Sequence, residues 1–373
     1  MSNINISIVQ SKNELMQFIK LPWKIYKNDP YWVPHLLMDR KKILDKIKNP
    51  FFKHAEAEYF LAKRNGEVVG RIAAIKNDLH NKEHKDKVGF FGFFECENNQ
   101  ETANMLFDSA NEWIKSKGLT SMRGPANPSS NDEYALLVDG FEDTPRLLMT
   151  YNPKYYITLI ENYGFKKAKD LYAYKLENQK VLSSEKLKRV QEIAKQRSGI
   201  KIRPLDMKHF NKELENFKDV YNKTWEPNWG FVPMTDEEID AMAKDLKTII
   251  EPSLVLFGEI DNKIVGFALV MLDYNQVFKE MNGRLLPFGI FKLMTQKKKI
   301  KWARIVVLGI LPDYQRKGLD SVFYWEIVNR AHNVGIDLGE ASWVLEDNEM
   351  MNRGARVMNG EIYKTYRIYE KEV

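Results

Sequence analysis

The 373-residue sequence has one cysteine, Cys96, which rules out an intrachain disulfide framework and fits a cytoplasmic protein. No stretch reaches the ~18 consecutive apolar residues of a membrane-spanning helix, so no transmembrane segment is expected. The opening residues, MSNINISIVQ, lack the basic-then-apolar order of a secretory leader. Six histidines are scattered without metal-ligand spacing, which argues against a zinc centre, and no metal is expected. One sign of charge barely dominates. The formal net charge is +6, and most lysines stand among glutamates on helical stretches, where they read as solvated faces. That excess suits a small polyanionic ligand such as a nucleotide, and nucleic acid is not an expected partner.

What is present is enough apolar material for two cores: 44% hydrophobic and 12% aromatic residues in a chain of two-domain length. A polar, charged stretch from Leu176 to Ser198, with a helical segment over Ser184–Arg197, separates two sequences that read as strand and core. The expected organisation is a domain over residues 1–178, a helical linker over 179–199 and a second domain over 200–373.

The halves repeat each other in order. Trp32-Val33-Pro34 is answered by Phe231-Val232-Pro233. A hairpin over Glu58–Ile75 turns at Asn65-Gly66, and one over Leu254–Met271 turns at Asp261-Asn262, pairs that tolerate positive φ. Gly70 and Gly266 follow at equal distance, Gly118 and Gly335 each end a helix, and each half closes on an aromatic-rich strand, Asp170–Leu176 and Tyr363–Tyr369. Duplication explains the shared order, and interspersed strands and helices predict a mixed α/β sheet covered on both faces.

Chemistry concentrates in the second half. Ala303–Ile310 is a β-branched run that reads as a buried strand, broken by Leu311-Pro312-Asp313-Tyr314. Gln315-Arg316-Lys317-Gly318-Leu319-Asp320 follows, then a helical pattern over Ser321–His332. A glycine before a helix lets backbone N–H groups converge, and the unpaired first-turn donors with the helix dipole form an anion site. Arg316 and Lys317 add positive charge at its mouth. These residues resemble the acyl-CoA loop of the GNAT superfamily of N-acyltransferases, which reads Gln/Arg-x-x-Gly-x-Gly/Ala. Gln315 and Gly318 match; Asp320 departs, and it is expected to serve as the helix N-cap.

The resemblance implies a fold class of two tandem GNAT-like domains. It implies acetyl-CoA or another acyl-CoA as co-substrate, held by Gln315, Arg316, Lys317, Gly318, Leu319 and Asp320. Backbone groups at Leu308, Gly309 and Ile310 would bond the pantetheine arm where the strand over Glu340–Leu345 splays away, and Asn348 would contact the arm. The family's thiolate-protonating tyrosine has Arg356 at its matching position, which could stabilise a thiolate by charge. A base is also needed for the amine. Glu340, Glu346 and Asp347 are candidates, Glu340 foremost because its strand should be buried and burial raises a carboxyl pKa.

The first half has Phe94–Thr102 where the loop should be, with three glutamates and no glycine. This half is expected to be a degenerate structural or acceptor-recognition copy, and Cys96 a packed thiol. The aromatic loop Thr224–Phe231 offers Trp225, Trp229 and Phe231 for acceptor contact. An insertion over Tyr274–Ile300 carries an apolar patch, Leu285–Met294, and then Lys297-Lys298-Lys299. It reads as a membrane-surface element, an acyl-chain holder, a lid or packing against the other domain. The leading expectation is transfer of an acyl group, acetyl in the first instance, to the primary amine of a small molecule, with the second domain active and a homodimer open. The alternatives are a non-catalytic acyl-CoA-binding protein and a FemABX-like transferase using aminoacyl-tRNA.

Overall fold

The computed structural model describes residues 4–225, 228–285 and 289–373. Along the first half run β1 (Ile4–Ile8), α1 (Lys12–Ile25), α2 (Leu37–Ile43), β2 (Ala55–Arg64), β3 (Glu67–Asn77), α3 (Asp78–His84), β4 (Val88–Cys96) and α4 (Gln100–Ser116). Then come β5 (Ser121–Gly124), β6 (Ala126–Asn127), β7 (Glu133–Tyr134), β8 (Leu136–Asp139), α5 (Tyr156–Asn162) and β9 (Lys166–Glu177). The second half continues with α6 (Asn178–Leu182), α7 (Glu185–Ser198), β10 (Lys201–Pro204), α8 (Phe210–Trp225), α9 (Asp236–Leu246), β11 (Val255–Ile260) and β12 (Lys263–Leu272). It ends with α10 (Asn275–Phe278), α11 (Gly289–Gln296), β13 (Trp302–Ile310), α12 (Leu319–Asn333), β14 (Leu338–Leu345), α13 (Glu349–Val357) and β15 (Glu361–Glu372). The mixed α/β class is as expected.

These elements form two compact units whose membership crosses the midpoint of the chain. Unit 1 holds Met1–Asp170, Phe278–Phe291 and Thr365–Val373; unit 2 holds Leu171–Val277 and Lys292–Lys364. In unit 1 the strand order is β1-β2-β3-β4-β5-β15. The first four strands run antiparallel, β4–β5 is parallel and β5–β15 antiparallel. In unit 2 the order is β10-β11-β12-β13-β14-β9, again with one parallel pair, β13–β14, next to an antiparallel closing strand. The two topologies are the same.

The division therefore differs from cuts at residues 178 and 200. The closing strand at the end of the chain belongs to unit 1, and Leu171–Glu177 from the first half belongs to unit 2. The expected linker is part of unit 2: Ser184 caps α7 by accepting from Leu187 N at 3.3 Å, and Leu187, Gln191 and Ala194 are buried. The tip of the insertion belongs to unit 1. There Trp23 donates to Asn282 at 2.7 Å, and Leu37 N donates to the Gly283 carbonyl at 3.0 Å. Leu286, Pro287 and Phe288 of the apolar patch lie outside the described residues.

Local chemistry explains the repeats. Asn65 and Gly66 have φ of 50° and 86°, Asp261 and Asn262 of 49° and 61°, the two positive values a two-residue hairpin turn needs. A Cβ on Gly70 would fall 2.7 Å from Leu106, and one on Gly266 would fall 2.9 Å from Phe323. Each glycine thus lets the main helix of its unit lie close on the sheet. Phe91, Phe94 and Phe107 anchor one core, with Phe94 and Phe107 stacked at 4.7 Å. Phe217, Phe257 and Phe267 anchor the other, at 4.7 and 5.2 Å. No helix among the described residues is long and apolar enough to cross a membrane.

Two predictions follow the exchange and the burial. A fragment of residues 1–178 lacks β15, so β5 keeps an unpaired edge and the buried Tyr369 is missing; it should show no cooperative urea transition, and adding a peptide of residues 361–373 should restore one. The second concerns histidine. Burial, and then neighbouring positive charge, pushes His35 and His80 down to about 3 from an ordinary 6.5. Between those values the unfolded chain binds more protons than the folded one, so stability falls as pH drops through that window. His80→Phe, which keeps a ring against Phe90, should remove about 2 kcal/mol of the loss between about pH 7 and 4.5, read by urea titration.

Candidate functional site

In unit 2 the parallel ladder of β13 with β14 runs from Trp302 opposite Leu338 to Ile305 opposite Ala341 and then ends. At that point β13 carries an extra residue: Leu269 of β12 faces Val307 while Val270 faces Ile305, which leaves Val306 as the bulge. Beyond it Val306, Val307, Leu308 and Ile310 are only half-buried, although they are apolar and lie within a sheet. The strand stays paired to β12 but is unladdered on its β14 side along this apolar stretch, with Gly309 buried among these residues.

The end of that stretch is tied to the turn that follows. Gln315 Nε2 donates to the Ile310 carbonyl at 3.0 Å. Arg316 and Gly318 take φ of 60° and 77°, and α12 begins at Leu319 with Gly318 as its N-cap. The expected N-cap role of Asp320 is not realised. Positive φ at Gly318 already ends the turn, so Asp320 falls inside the first helical turn, and no side chain caps the helix. Arg316 and Lys317 are exposed, with Lys317 Nζ 5.0 Å from the Tyr314 ring. A Cβ on Gly318 would lie 3.3 Å from Ala194 of α7, so the supposed linker packs directly behind the turn.

Unit 1 treats the equivalent place differently. There α4 is capped by Asn99, whose side chain accepts from Thr102 N at 2.8 Å. Glu97 pairs with Arg64 beside it at 2.5 Å, and Glu95 is buried. The helix end is filled by the protein's own acceptors. Cys96 is fully buried, and burial pushes its thiol well above the ordinary range.

The other predicted residues scatter. Glu340 lies on β14 opposite Arg304 and is fully buried. Ser342 donates to one of its oxygens at 2.6 Å, Tyr363 donates to the other, and Arg304 Nε is 3.7 Å away. Arg356 is exposed in the last turn of α13, unlike the buried Glu340. Asn348 is the N-cap of α13: its oxygen accepts from Met351 N at 3.1 Å, which commits that oxygen to the helix. Phe231 is only 8% exposed, with its ring centred 6.1 Å from that of Tyr221 on α8. Trp229 is half-buried. Trp225 ends α8, and its side chain, with Glu226 and Pro227, lies outside the described residues.

The Arg304–Ser342–Tyr363 surround of Glu340 was not legible as a site, because its members belong to three strands brought together only by folding. The signal it left was an arginine and a glutamate inside strands otherwise fit for burial.

No family model matches the sequence. Two curated proteins do, over nearly the whole length. The chain is 36% identical over 385 aligned positions to a bacterial ceramide synthase of Caulobacter vibrioides, covering 99% of this chain and 98% of that one. It is 31% identical to Protein YghO of Escherichia coli, covering 97% and 94%. Among solved structures, a tandem GNAT protein from the clavulanic acid biosynthesis pathway superposes with a TM-score of 0.58 at 10% identity, covering 99% of this chain and 98% of that one. A GCN5-related N-acetyltransferase from Sphaerobacter thermophilus superposes with 0.52 at 12% identity, covering 99% and 95%. The chain therefore belongs to the family of the Caulobacter ceramide synthase and YghO, and is built on the tandem GNAT acyltransferase fold.

Proposed function

We propose that this protein is an acyl-CoA-dependent N-acyltransferase whose unit 2 holds the acyl-CoA and whose acceptor is the primary amine of a long-chain amino alcohol. The observation that carries the CoA assignment is the continuous path from the half-open apolar stretch Val306–Ile310 to the uncapped start of α12 at Gly318, flanked by Arg316 and Lys317. The pyrophosphate meets first-turn N–H groups and two cations, while the pantetheine lies along a strand whose neighbour has left. The plugged start of α4 supports unit 2 over unit 1 for this role.

The acceptor class is supported by the name of the Caulobacter relative, since a ceramide is the fatty amide of a long-chain amino alcohol. It replaces acetyl transfer to a small amine as the preferred reading. A lipidic acceptor also accounts for α11, where Phe291 is 68% exposed and the exposed Lys298 and Lys299 follow, a pairing suited to a membrane surface. In the reaction the neutral amine attacks the thioester carbonyl carbon. The C–N bond forms, the C–S bond breaks, the newly bonded nitrogen gives up one proton, and the sulfur leaves as CoA thiolate, which takes up that proton. The ammonium proton of the acceptor passes to a base before attack.

Glu340 is, on this reading, a positioning residue: it fixes Arg304 and Tyr363 beneath the point where β13 and β14 part.

Gly318→Glu brings a carboxylate to the helix start, and any side chain there is strained by the positive φ. It should weaken CoA binding by calorimetry at least ~100-fold, the product of lost N–H access and charge repulsion. Wild-type protein that fails to bind CoA would overturn the reading, and binding without amine-dependent release of free thiol would reduce it to a CoA-binding protein. Glu340→Ala leaves Arg304 buried without its carboxylate and should cost about 3–5 kcal/mol in urea unfolding. Glu340→Gln should keep the fold and leave the affinity for CoA unchanged.

A further inference from the structure

In unit 1 the turn that follows α2 holds an isoleucine almost wholly in water: Ile47 is 94% exposed. The turn that presents it is built, not slack. The Asp45 carboxylate accepts from Ile47 N at 3.0 Å and from Lys48 N at 3.1 Å. Asn49 N donates to the Asp45 carbonyl at 3.0 Å, and the Asn49 side chain donates to the Ile43 carbonyl at 2.9 Å. Asn49 Oδ1 then accepts from the N–H of the buried Phe51 at 3.1 Å, which ties the far end of the turn to the core. These bonds keep Ile47 outside, where its apolar surface gains nothing from folding. Lys46 and Lys48 flank it, both exposed.

The outer face of α2 continues the pattern. Met38, Lys41 and Lys42 stand at i, i+3 and i+4, so they share one face, and all three are exposed, Met38 by 57%. Arg40 and Leu44, also four apart, are buried and hold the other face to the core. No more than about 10 Å of helix separates Met38 from the turn. From Met38 to Lys53 the exposed charges are Lys41, Lys42, Lys46, Lys48 and Lys53 against Asp39. Asp45 is committed to the turn, and Lys46 is held by Glu58 at 3.1 Å. The start of the same helix is bonded to the insertion tip, Leu37 N to the Gly283 carbonyl, and that tip segment ends at the exposed Phe291. Unit 1 thus carries projecting apolar side chains set among lysines.

We propose that this surface docks unit 1 on an anionic lipid bilayer, with Ile47 and Met38 sunk at the boundary of the acyl chains and Lys41 and Lys48 against lipid phosphates. A fluid bilayer takes single projecting side chains without a shaped pocket. A protein partner asks for a complementary, well-packed surface, and protein interfaces are poor in lysine. Lysine suits the bilayer boundary, because its stem lies along apolar material while its ammonium stays at the level of the phosphates. Each lysine at an anionic surface strengthens binding on the order of fivefold. The docking does not rest on acyl transfer and would hold equally for a protein that only binds CoA. For a long-chain amine acceptor, it brings the enzyme to the phase in which that substrate is dissolved.

The test is co-sedimentation of the full chain with vesicles of phosphatidylcholine, alone or with about one third phosphatidylglycerol. Wild-type protein should bind the anionic vesicles at least ~10-fold more tightly than the neutral ones, and high salt should remove most of that preference. Ile47→Ser should weaken binding to anionic vesicles by at least ~10-fold. Lys41→Gln combined with Lys48→Gln should weaken it by roughly 20-fold and reduce the preference for anionic lipid. These side chains are exposed, so urea midpoints and CoA affinity should stay at wild-type values, and lost vesicle binding is then not lost folding. No binding to anionic vesicles overturns the proposal, as does binding that survives both changes. Binding abolished by Phe291→Ser but not by Ile47→Ser would give the docking to α11 instead. Protein that ignores vesicles but forms a dimer broken by Ile47→Ser would give the patch to a second copy. Vesicle binding and CoA calorimetry are read separately, so failure of either leaves the other standing.

Discussion

A sheet strand with an unpaired edge must find a partner, and in this protein each unit finds its last partner in the other half of the chain. Thr365–Val373 completes unit 1, and Leu171–Glu177 completes unit 2. The backbone hydrogen bonds of β5 and β14 are satisfied by these strands, at Tyr369–Gly124 and onward and at Leu338–Glu177 and onward. Everything else hangs on that closure. Because β14 takes β9 as its partner on one side, it can leave β13 after Ile305 on the other without exposing a bare edge to solvent along its whole length. The gap beside Val306–Ile310 is a consequence of that second partner.

Duplicated folds diverge where function is divided, and the start of the main helix shows it. Both units lay a helix against the sheet over a glycine, Gly70 or Gly266. One helix begins at an uncapped glycine with positive φ, the other behind an asparagine that supplies the missing acceptor. The same backbone donors that would hold a pyrophosphate are spent internally in unit 1. Charge follows suit, with Arg316 and Lys317 exposed at one start and Glu97 tied to Arg64 at the other. Unit 1 instead buries the ion pairs Arg40–Glu133 and Arg71–Glu95, and buried pairs contribute little net stabilisation.

Much of this was written locally. The hairpin turns at Asn65-Gly66 and Asp261-Asn262, the helix stops at Gly118 and Gly335, and the strand over Ala303–Ile310 with the turn that follows it depend on residues a few positions apart, and the sequence places them where they occur. The helix start at Leu319 rather than beyond Asp320 was missed because positive φ at Gly318 outweighs the capping propensity of an aspartate. The burial of Phe231 beside Tyr221 depends on tertiary packing, which no loop composition states. The contacts of Glu95 with Tyr156 and Arg71 were not legible, because these partners are remote in sequence.

The sequence by itself determined the repeat, the mixed α/β class and the glycine turn at the helix start, since turns, periodicity and backbone freedom are properties of neighbouring residues. Tertiary structure alone decided which strand closes which sheet, why β13 stands open beyond Ile305, and how Arg71 and Glu95 come together. Those outcomes rest on long-range pairing and on burial, where the free energy belongs to groups brought together from distant parts of the chain.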